Sequence, residues 1–275
     1  METLTIINEN FIPANEASVL ISDLALQRGY GIFDFFKTKD HRAIFLDDHM
    51  DRLFHSTEKM RLPLRKTREE LKALLAELMK RNNIADSGIK ITLTGGYSPD
   101  GYMLSKPNLI ITQTPLVLAK EMNTAGISLI TYPHQRQLPD VKTTDYLMSI
   151  WLQPLIQSKG ADDVLYHKDG IVGECPRANF FILTKEDELL TPSSNILKGI
   201  VRKHTLDIYS KRGSASERDI TLEDVRQCKE AFITSSTKNV LSVTRIDGEP
   251  VGSGQPGEIS HWLWKEIQSR INQTI

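Results

Sequence analysis

Apolar and polar residues recur along the chain with two periods, and the changes of period mark its predicted elements. Over 47–62 the apolar residues recur at helical spacing, which predicts an amphipathic helix. Thr67 and Glu70 have the pattern of a capping box ahead of a leucine-rich run, so a second helix is predicted to begin there. Runs rich in Ile and Thr at 89–94 and 108–114 predict strands.

The second part of the chain repeats this mixture after a change in composition. The stretch 117–126, between two apolar strands, has the composition of a linker. A strand is predicted at 127–132, a helix from about Thr144, and a hairpin at 168–170, where Lys-Asp-Gly supplies turn residues. Strands and helices alternate in both parts, which predicts an α/β (α+β) fold.

Length and charge set the broad class. At 275 residues the chain exceeds one typical core, so we expect a smaller α/β domain over 1–116 and a larger one over 127–275. The net charge of −1, from 34 basic and 35 acidic residues, gives no reason to expect nucleic acid or an anionic membrane as a partner. No apolar run approaches the length of a membrane span or of a signal peptide, so a cytoplasmic protein is expected.

Two segments of unusual composition carry a lysine and a glutamate. Lys142 lies in Asp-Val-Lys-Thr-Thr-Asp-Tyr at 140–146, and Glu174 ends an apolar strand pattern just before Cys-Pro-Arg-Ala. A carboxylate near a sheet costs desolvation free energy unless a cation meets it. Glu174 therefore indicates a binding site.

Two further segments have the chemistry of phosphate sites. Gly199 opens an amphipathic run, and a helix start after a glycine turn exposes unpaired backbone N–H groups that bind phosphate. The strand pattern at 231–237 ends in Thr-Ser-Ser-Thr, four hydroxyl groups that can donate to phosphate oxygens. One lysine, one carboxylate and two phosphate-type elements together indicate pyridoxal phosphate as the cofactor.

The order of these segments resembles the class IV, or fold-type IV, pyridoxal-phosphate enzymes. This family contains D-amino acid aminotransferases, branched-chain aminotransferases and aminodeoxychorismate lyases, and the likeness runs from Ile21-Ser-Asp-Leu to Asn239-Val-Leu-Ser-Val-Thr. The resemblance implies a transaminase of two domains with the cofactor between them, active as a homodimer. Its substrates would be an amino acid and a 2-oxo acid.

The resemblance also implies roles for individual residues. Lys142 corresponds to the family's Schiff-base lysine, Glu174 to the carboxylate that pairs with the pyridine nitrogen, and Arg52 to a phosphate-binding arginine on an early helix. Tyr146 corresponds to the tyrosine that hydrogen-bonds the phenolic oxygen of the cofactor. Five residues correspond to the remaining phosphate contacts, although the family usually has threonine at the third: Gly199, Ile200, Val201, Ser236 and Thr237.

The substrate site departs from the family pattern. The loop at 94–102 aligns with the place where bacterial D-amino acid aminotransferases carry an arginine and a histidine that bind the substrate carboxylate, but here Asp100 and Tyr102 stand there. Arg28 and Arg177 occupy positions where the family has other residue types, and arginine suits bidentate carboxylate binding. We therefore expect an aminotransferase with D-amino acids slightly favoured.

Three alternatives stay open from the sequence. A branched-chain L-aminotransferase needs an apolar pocket, for which Phe33, Tyr97, Phe35 and Tyr30 are candidates. An aminodeoxychorismate lyase would also use two arginines, but Asp100 stands where the lyase usually has arginine. A cofactor-binding module without activity would need neither Lys142 nor Glu174 for phosphate anchoring. Chirality of the donor, and pyruvate release without an amino acceptor, discriminate the enzymes.

Ordinary structural roles compete with the functional ones. Arg52 could pair with Asp48 on its own helix, Arg28 with Asp23 or Asp34, and Arg177 could cap a turn. Cys175 directly follows Glu174 and could be a reactive thiol or, the favoured interpretation, an inert buried side chain. The seven histidines show no metal-site spacing, and no metal is expected.

Overall fold

Two sheets organise the chain, one in each of two units of the computed structural model, which describes residues 3–274. The first unit holds the described residues up to Leu118 together with Val141–Asp145 and Thr274, and the second holds Ala119–Asp140 and Tyr146–Gln273. The boundary at 118/119 lies inside the segment predicted as a linker. Helices accompany both sheets, so the predicted α/β (α+β) class is confirmed.

The first unit contains a six-stranded antiparallel sheet in the order β2-β1-β6-β5-β3-β4. Its strands are β1 (Leu4–Ile7), β2 (Asn10–Pro13), β3 (Gly31–Lys39), β4 (Arg42–Ala43), β5 (Ser87–Thr94) and β6 (Leu109–Pro115). Its helices are α1 (Leu24–Arg28), α2 (Leu46–Lys59) and α3 (Arg68–Asn82). The two helices and two strands predicted here are confirmed, with ends that differ by at most three residues.

The side chains of β3 point alternately to the two faces of this sheet. Ile32 and Phe36 are fully buried in one hydrophobic cluster with Met50 of α2 and Leu75 of α3. Phe33 and its neighbours at odd positions face the other side, because side chains alternate along a strand. The predicted capping box of α3 is confirmed, since Thr67 accepts from the Glu70 amide and Glu70 accepts from the Thr67 amide.

The second unit contains a nine-stranded mixed sheet in the order β12-β11-β10-β13-β14-β7-β8-β9, with β15 paired to β14. Its strands are β7 (Ile127–Pro133), β8 (Asp163–Lys168), β9 (Ile171–Val172), β10 (Asn179–Leu183), β11 (Leu189–Thr191), β12 (Ala215–Glu217), β13 (Glu230–Ser235), β14 (Asn239–Ile246) and β15 (Glu249–Pro250). Its helices are α4 (Leu147–Trp151), α5 (Gln153–Ser158), α6 (Ile200–Tyr209), α7 (Leu222–Gln227) and α8 (Glu258–Thr274).

The predicted hairpin at 168–170 joins β8 to β9 and is confirmed. Asp169 and Gly170 both have positive φ, 51° and 82°, which suits the right-handed twist of a two-residue hairpin. In the core of this unit Phe181 and Phe232 stack with ring centroids 5.0 Å apart. Among residues 3–274 no helix has both the length and the apolar composition needed to cross a membrane.

The helix predicted from about Thr144 begins later, at Leu147, so that start is wrong. Residues before it extend the edge of the first sheet instead, where Thr143 forms an isolated antiparallel bridge with Ile32. The hydroxyl of Thr144 donates to the Gly29 carbonyl at 2.8 Å. These bonds hold the segment extended, and helical spacing of the apolar residues beyond Tyr146 could not reveal them.

Candidate active site

Lys142 lies in the extended segment Val141–Asp145 of the first unit. Its carbonyl accepts a hydrogen bond from the Phe33 amide at 2.9 Å, and the Thr144 amide donates to the Gly31 carbonyl at 2.9 Å. Val141, one residue before, is buried in the hydrophobic cluster of this unit. The backbone of Lys142 is therefore fixed on both sides, which leaves only its side chain to move.

The ring of Phe33 lies close to two cations. The Nζ of Lys142 lies 4.6 Å from the ring centroid, and the Nζ of Lys90, on the neighbouring strand, lies 4.8 Å from it. Lys90 was not singled out by the sequence, although a lysine inside the apolar run Ile-Lys-Ile is a signal that could have found it. Two cations close to one ring favour an anionic ligand at this face of the sheet.

Arg52 projects from α2 onto a carboxylate of β3. Its Nε and Nη2 donate to the two oxygens of Asp34 at 2.8 and 2.9 Å, and the Nδ1–H of His49 donates to the same carboxylate at 2.6 Å. Asp48, the partner considered from the sequence, is thus replaced by Asp34. Among residues 3–274 these hydrogen bonds use Nε and Nη2 of the guanidinium and not Nη1.

Burial and charge act in opposite directions on this buried trio. Burial acts to raise the pKa of Asp34, but the Arg52 guanidinium and the hydrogen bonds from His49 and Arg52 outweigh it and hold the pKa well below its usual range. Burial lowers the pKa of His49, against the pull of Asp34. Asp34 is therefore a carboxylate and His49 is neutral at physiological pH.

Arg28 ends the short helix α1 with an exposed guanidinium. Its Nη1 donates to the Gln27 carbonyl at 2.9 Å. The two carboxylates considered as its partners are engaged elsewhere: Asp23 accepts from Thr94 and Asn108, and Asp34 accepts from Arg52. The structure thus places Arg28 on the surface of the first unit with no carboxylate partner among the described residues.

Tyr97 lies half-buried beside α1, where it forms an isolated bridge with Asp23. In the following loop Asp100 accepts from the amides of Tyr102 and Met103 at 2.9 and 2.8 Å, so its carboxylate shapes a turn. Tyr30, a candidate for an apolar pocket, instead packs against the core and donates from its hydroxyl to the Met60 carbonyl at 2.8 Å. Phe33 keeps its place beside Lys142.

Glu174 is buried in the second unit, and its carboxylate accepts three hydrogen bonds. Oε1 accepts from Arg136 Nη1 at 3.2 Å, and Oε2 accepts from the Leu197 amide at 3.0 Å and from Asn179 Nδ2 at 3.1 Å. Three N–H donors stabilise the charged form of a carboxylate. Glu174 and Arg136 also line a cavity of about 310 Å³ together with Tyr166.

Arg136 and Asn179 are site residues that the sequence did not single out. Arg136 is the cation that a buried carboxylate such as Glu174 requires, and it lies in the polar run His-Gln-Arg-Gln just after β7. Asn179 begins the strand Asn-Phe-Phe-Ile-Leu, where one amide stands in an apolar run. A polar residue opening a buried strand was the signal that could have found it.

Gly199 is the N-cap of α6, which confirms the helix start expected from the sequence. Ile200 and Val201 form the buried first turn of this helix. The amide groups of a first helical turn have no partner within the helix and carry partial positive charge. The three residues therefore present donors suited to an anion.

The turn between β13 and β14 carries the predicted hydroxyl residues Ser236 and Thr237. Thr237 is exposed, and its hydroxyl lies 3.2 Å from that of Ser235. Helix α6 packs against β13, and Thr234, one residue before the end of β13, pairs with Asn179 beside Gly199. The helix start and the hydroxyl turn thus lie in one region of the second unit.

Arg177 stands in a tight turn, where Cys175 and Ala178 exchange backbone hydrogen bonds at 2.9 and 3.3 Å. The turn needs no side chain from Arg177, which is exposed.

Tyr146 is half-buried at the N-cap of α4. Burial raises the pKa of the Cys175 thiol well above its usual value, which makes this cysteine inert.

The donor groups fit a pyridoxal-phosphate cofactor. A phosphate needs N–H and O–H donors, which α6 and the turn after β13 supply, and a protonated pyridine nitrogen needs a carboxylate, which Glu174 supplies. The first unit, taken by itself, contains an arginine and a lysine amine, Arg52 and Lys142. Each of these residue types has a counterpart in the chemistry of that cofactor.

Comparisons with known proteins agree with this donor set. The family model described as amino-transferase class IV matches residues 31–246. The chain is 28% identical to a D-alanine aminotransferase of Bacillus licheniformis over 98% of this chain and 95% of that protein. It is also 28% identical to a putative branched-chain-amino-acid aminotransferase of Methanocaldococcus jannaschii, over 96% of each.

Solved structures share the fold. A branched-chain amino acid aminotransferase of Thermoproteus uzoniensis, solved with norvaline, superposes with a TM-score of 0.87 over 98% of this chain and 95% of that chain, at 24% identity. Another branched-chain amino acid aminotransferase, solved with pyridoxamine 5'-phosphate, has a TM-score of 0.89 at 21% identity, over 98% of this chain and 94% of that chain. At such identities the likeness is one of fold. The predicted fold type IV architecture is confirmed by these superpositions.

Proposed function

Because this chain belongs to the class IV aminotransferases, which use pyridoxal phosphate, we propose that it transfers the amino group of D-amino acids to a 2-oxo acid. Membership of this family shows that the chain is an aminotransferase. The choice of D-amino acids is the proposal, and the nearly full-length likeness to D-alanine aminotransferases supports it.

Roles toward the cofactor are assigned residue by residue, as the family likeness suggests. That cofactor, when bound, holds the amino group and withdraws electrons from the α-carbon of the substrate. Lys142 moves the proton between the α-carbon and its own Nζ, for which a fixed backbone and a mobile side chain are required. Glu174 keeps the pyridine nitrogen protonated, because a stabilised carboxylate favours the charged form of its neighbour.

Phosphate binding is assigned to groups that other contacts hold in place. Arg52 offers Nη1, while its Nε and Nη2 are held by Asp34. The amides of Gly199, Ile200 and Val201 and the hydroxyls of Ser236 and Thr237 complete the set. Tyr146 is assigned to the phenolic oxygen. A phosphate held at several points would fix the cofactor in place.

The substrate carboxylates are assigned to arginines outside the usual loop. Arg28 and Arg177 are exposed and have no carboxylate partner among residues 3–274, so their guanidinium groups are available for a ligand. Asp100 takes part in a turn and repels carboxylate. Lys90 beside Phe33 adds a further cation, which favours dicarboxylic substrates such as glutamate and 2-oxoglutarate.

A branched-chain L-aminotransferase is the second candidate. The likeness to the Methanocaldococcus jannaschii protein and the half-buried aromatic residues Phe33 and Tyr97 favour it. A pocket for an apolar side chain would use those rings, whereas a dicarboxylic substrate would use Lys90. The chirality and side-chain charge of accepted donors therefore separate the two candidates.

The active unit is proposed to be a homodimer. Helix α4 exposes Leu147, Ile150 and Trp151, which lie on one face because they are spaced by three and four residues. Adjacent exposed apolar residues of this kind mark interaction surfaces. Light scattering should give twice the chain mass, and Ile150→Asp should halve it; a monomeric wild type would refute the dimer.

One titration tests the function. Purified protein is mixed with pyridoxal phosphate, and the absorbance of the bound cofactor is recorded while D-alanine, D-glutamate, L-leucine or L-glutamate is added. Change with D-donors alone establishes the proposal. Change with L-leucine and L-glutamate alone moves the assignment to the branched-chain enzymes. Absence of any bound cofactor spectrum would refute both, and Lys142→Ala serves as the inactive control.

A further inference from the structure

Asn179 opens strand β10 with a buried side chain that reaches two assigned elements of the cofactor site. One hydrogen of its Nδ2 points to Glu174 Oε2 at 3.1 Å, and the other to the Leu197 carbonyl at 2.7 Å. Both donors of the amide are therefore used. Its backbone is held in the sheet opposite Thr234 of β13.

A third hydrogen bond links Leu197 to Glu174, so that Asn179, Leu197 and Glu174 are each bonded to the other two. The Leu197 amide donates to the same Glu174 Oε2 at 3.0 Å, so one peptide residue is bonded to Asn179 through its carbonyl and to Glu174 through its N–H. Leu197 lies two residues before Gly199, the N-cap of α6. The carboxylate and the helix start are thereby connected through one side-chain amide and one residue of backbone.

Gly199 approaches the same amide from the other side. A Cβ placed on Gly199 would lie 2.0 Å from Asn179 Oδ1, far inside van der Waals contact. Glycine is required here because the side chain of Asn179 fills the space, and φ at Gly199 is an ordinary −69°. The helix start is therefore packed directly on the Asn179 amide.

We propose that Asn179 is a positioning residue that couples the pyridine-nitrogen end of the cofactor site to its phosphate end. A shift of the helix start toward a bound phosphate moves the Asn179 amide and Leu197, and both bear on Glu174 Oε2. The two ends of the cofactor would then bind cooperatively, since each orders the partner that the other needs. This inference rests on the proposed assignment of both ends to pyridoxal phosphate.

The coupling can be measured without substrate or turnover. Dissociation constants are determined for pyridoxal phosphate and for pyridoxal, which lacks the phosphate, with the wild type and with Glu174→Gln. We expect the loss from Glu174→Gln to be at least about fivefold greater for pyridoxal phosphate than for pyridoxal, because phosphate binding reinforces the carboxylate contact. The same four measurements are then made in an Asn179→Ala background. There the ratio of the pyridoxal phosphate loss to the pyridoxal loss should be at least about threefold smaller.

A second variant separates positioning from space filling. Asn179→Asp keeps the shape of the side chain but replaces a two-hydrogen donor by an acceptor facing Glu174 Oε2 and the Leu197 carbonyl. Positioning predicts weaker pyridoxal phosphate binding for Asn179→Asp than for Asn179→Ala, on the order of tenfold or more at neutral pH. A side chain that merely fills space predicts the opposite order.

Asn108 provides the matched control. It is also a buried asparagine whose Nδ2 donates to a carboxylate, Asp23 Oδ2, at 2.7 Å, and it has no assigned role in cofactor binding. Asn108→Ala should lower the melting temperature while leaving the binding ratio within about twofold of wild type. The proposed coupling is wrong if the wild type binds pyridoxal phosphate but the ratio of the two Glu174→Gln losses is the same in the Asn179→Ala background as in the wild type. Failure of the wild type to bind pyridoxal phosphate would instead overturn the proposed function.

Discussion

Arg52 meets Asp34 in a two-pronged ion pair, with Nε and Nη2 of the guanidinium on the two carboxylate oxygens at 2.8 and 2.9 Å. The carboxylate is almost fully buried, with 1% of its side chain exposed, and the arginine side chain is 9% exposed. A fork-to-fork pair fixes the plane of the guanidinium as well as its position. The arginine assigned to phosphate is thus oriented before any ligand arrives.

Removal of the Asp34 charge should destabilise the protein and weaken cofactor binding. Asp34→Asn keeps the shape but leaves the buried Arg52 charge without its partner, which costs roughly 3 kcal/mol of unfolding free energy. Because the folded pKa of Asp34 lies below its unfolded value, this contribution is present above about pH 4 and is lost as the pH falls through the folded pKa.

Urea unfolding at several pH values checks the sign. The difference between wild type and Asp34→Asn should be constant from about pH 7 to about pH 5 and should shrink in more acidic solution. Asp51 is exposed, lies on α2 beside Arg52 and pairs with Arg68, so Asp51→Asn should change stability by less than about 1 kcal/mol. A difference that grows in acid would contradict the assigned ion pair.

The two exposed arginines should affect dicarboxylic substrates most. Arg28→Ala and Arg177→Ala should each raise KM for D-glutamate and 2-oxoglutarate roughly tenfold or more, and KM for D-alanine and pyruvate less. The reason is that a dicarboxylic substrate has two carboxylates for the proposed arginines to bind, and a monocarboxylic substrate has one. Steady-state kinetics with the four substrates checks this. Arg226→Ala removes an exposed arginine paired with Glu223 and should leave all four KM values unchanged. Equal effects on all substrates would exclude the arginine clamp.

The elements that the sequence predicted correctly have local signals. The capping box at Thr67 and the turn residues at Asp169 and Gly170 specify their own conformations, and the structure has both. The extended segment around Lys142 was not predicted, since its hydrogen bonds go to Gly31 and Phe33, far away along the chain. Long-range pairing of this kind leaves no local pattern.

The same distinction explains which site residues were found. Lys142 and Glu174 stood out because a charged residue in an unusual segment conflicts with simple folding rules, and family motifs surround them. Their neighbours Arg136, Asn179 and Lys90 were missed. The reason is that the role of each depends on a contact with Glu174 or Phe33, and the sequence does not show these contacts. The partner of Arg52 was mistaken for the same reason, because it lies on strand β3 and not on the helix that carries the arginine.

Lys37 should be replaceable with a gain in stability. This lysine of β3 is buried, and burial lowers its pKa to about 8. Between pH 8 and its unfolded pKa the unfolded chain holds a proton that the folded protein has lost, so wild-type stability rises with pH across that window. Lys37→Met should therefore be more stable at neutral pH, by about 1–3 kcal/mol, with an advantage that shrinks as the pH rises above the folded pKa.

Thermal or urea unfolding from about pH 7 to about pH 10 tests this. The Lys80→Met variant, at the solvent-facing side of α3, should differ from wild type by less than about 0.5 kcal/mol at every pH. A Lys37→Met protein that is less stable than wild type at neutral pH would show that the contacts of the ammonium group outweigh the cost of its desolvation.

The start of α8 depends on a contact between Glu230 and Gly257. The Glu230 carboxylate accepts from the amides of Ile259 and Ser260 at 3.1 and 3.2 Å, which lie in the first helical turn and lack acceptors within the helix. A Cβ on Gly257 would lie 1.9 Å from Glu230 Cδ and Oε2. The carboxylate therefore reaches the helix start only because residue 257 is glycine.

Gly257→Ala should displace that carboxylate and destabilise the protein by roughly 1–3 kcal/mol, since two amides lose a charged acceptor at the positive end of a helix. Glu230→Ala removes the same acceptor directly. If both changes act through one contact, the double variant should be scarcely less stable than the more damaged single variant. Urea unfolding of the three variants measures this, and fully additive losses would show that Gly257 matters for another reason. Because Glu230 has no assigned role at the cofactor, pyridoxal phosphate affinity should stay at the wild-type value in all three.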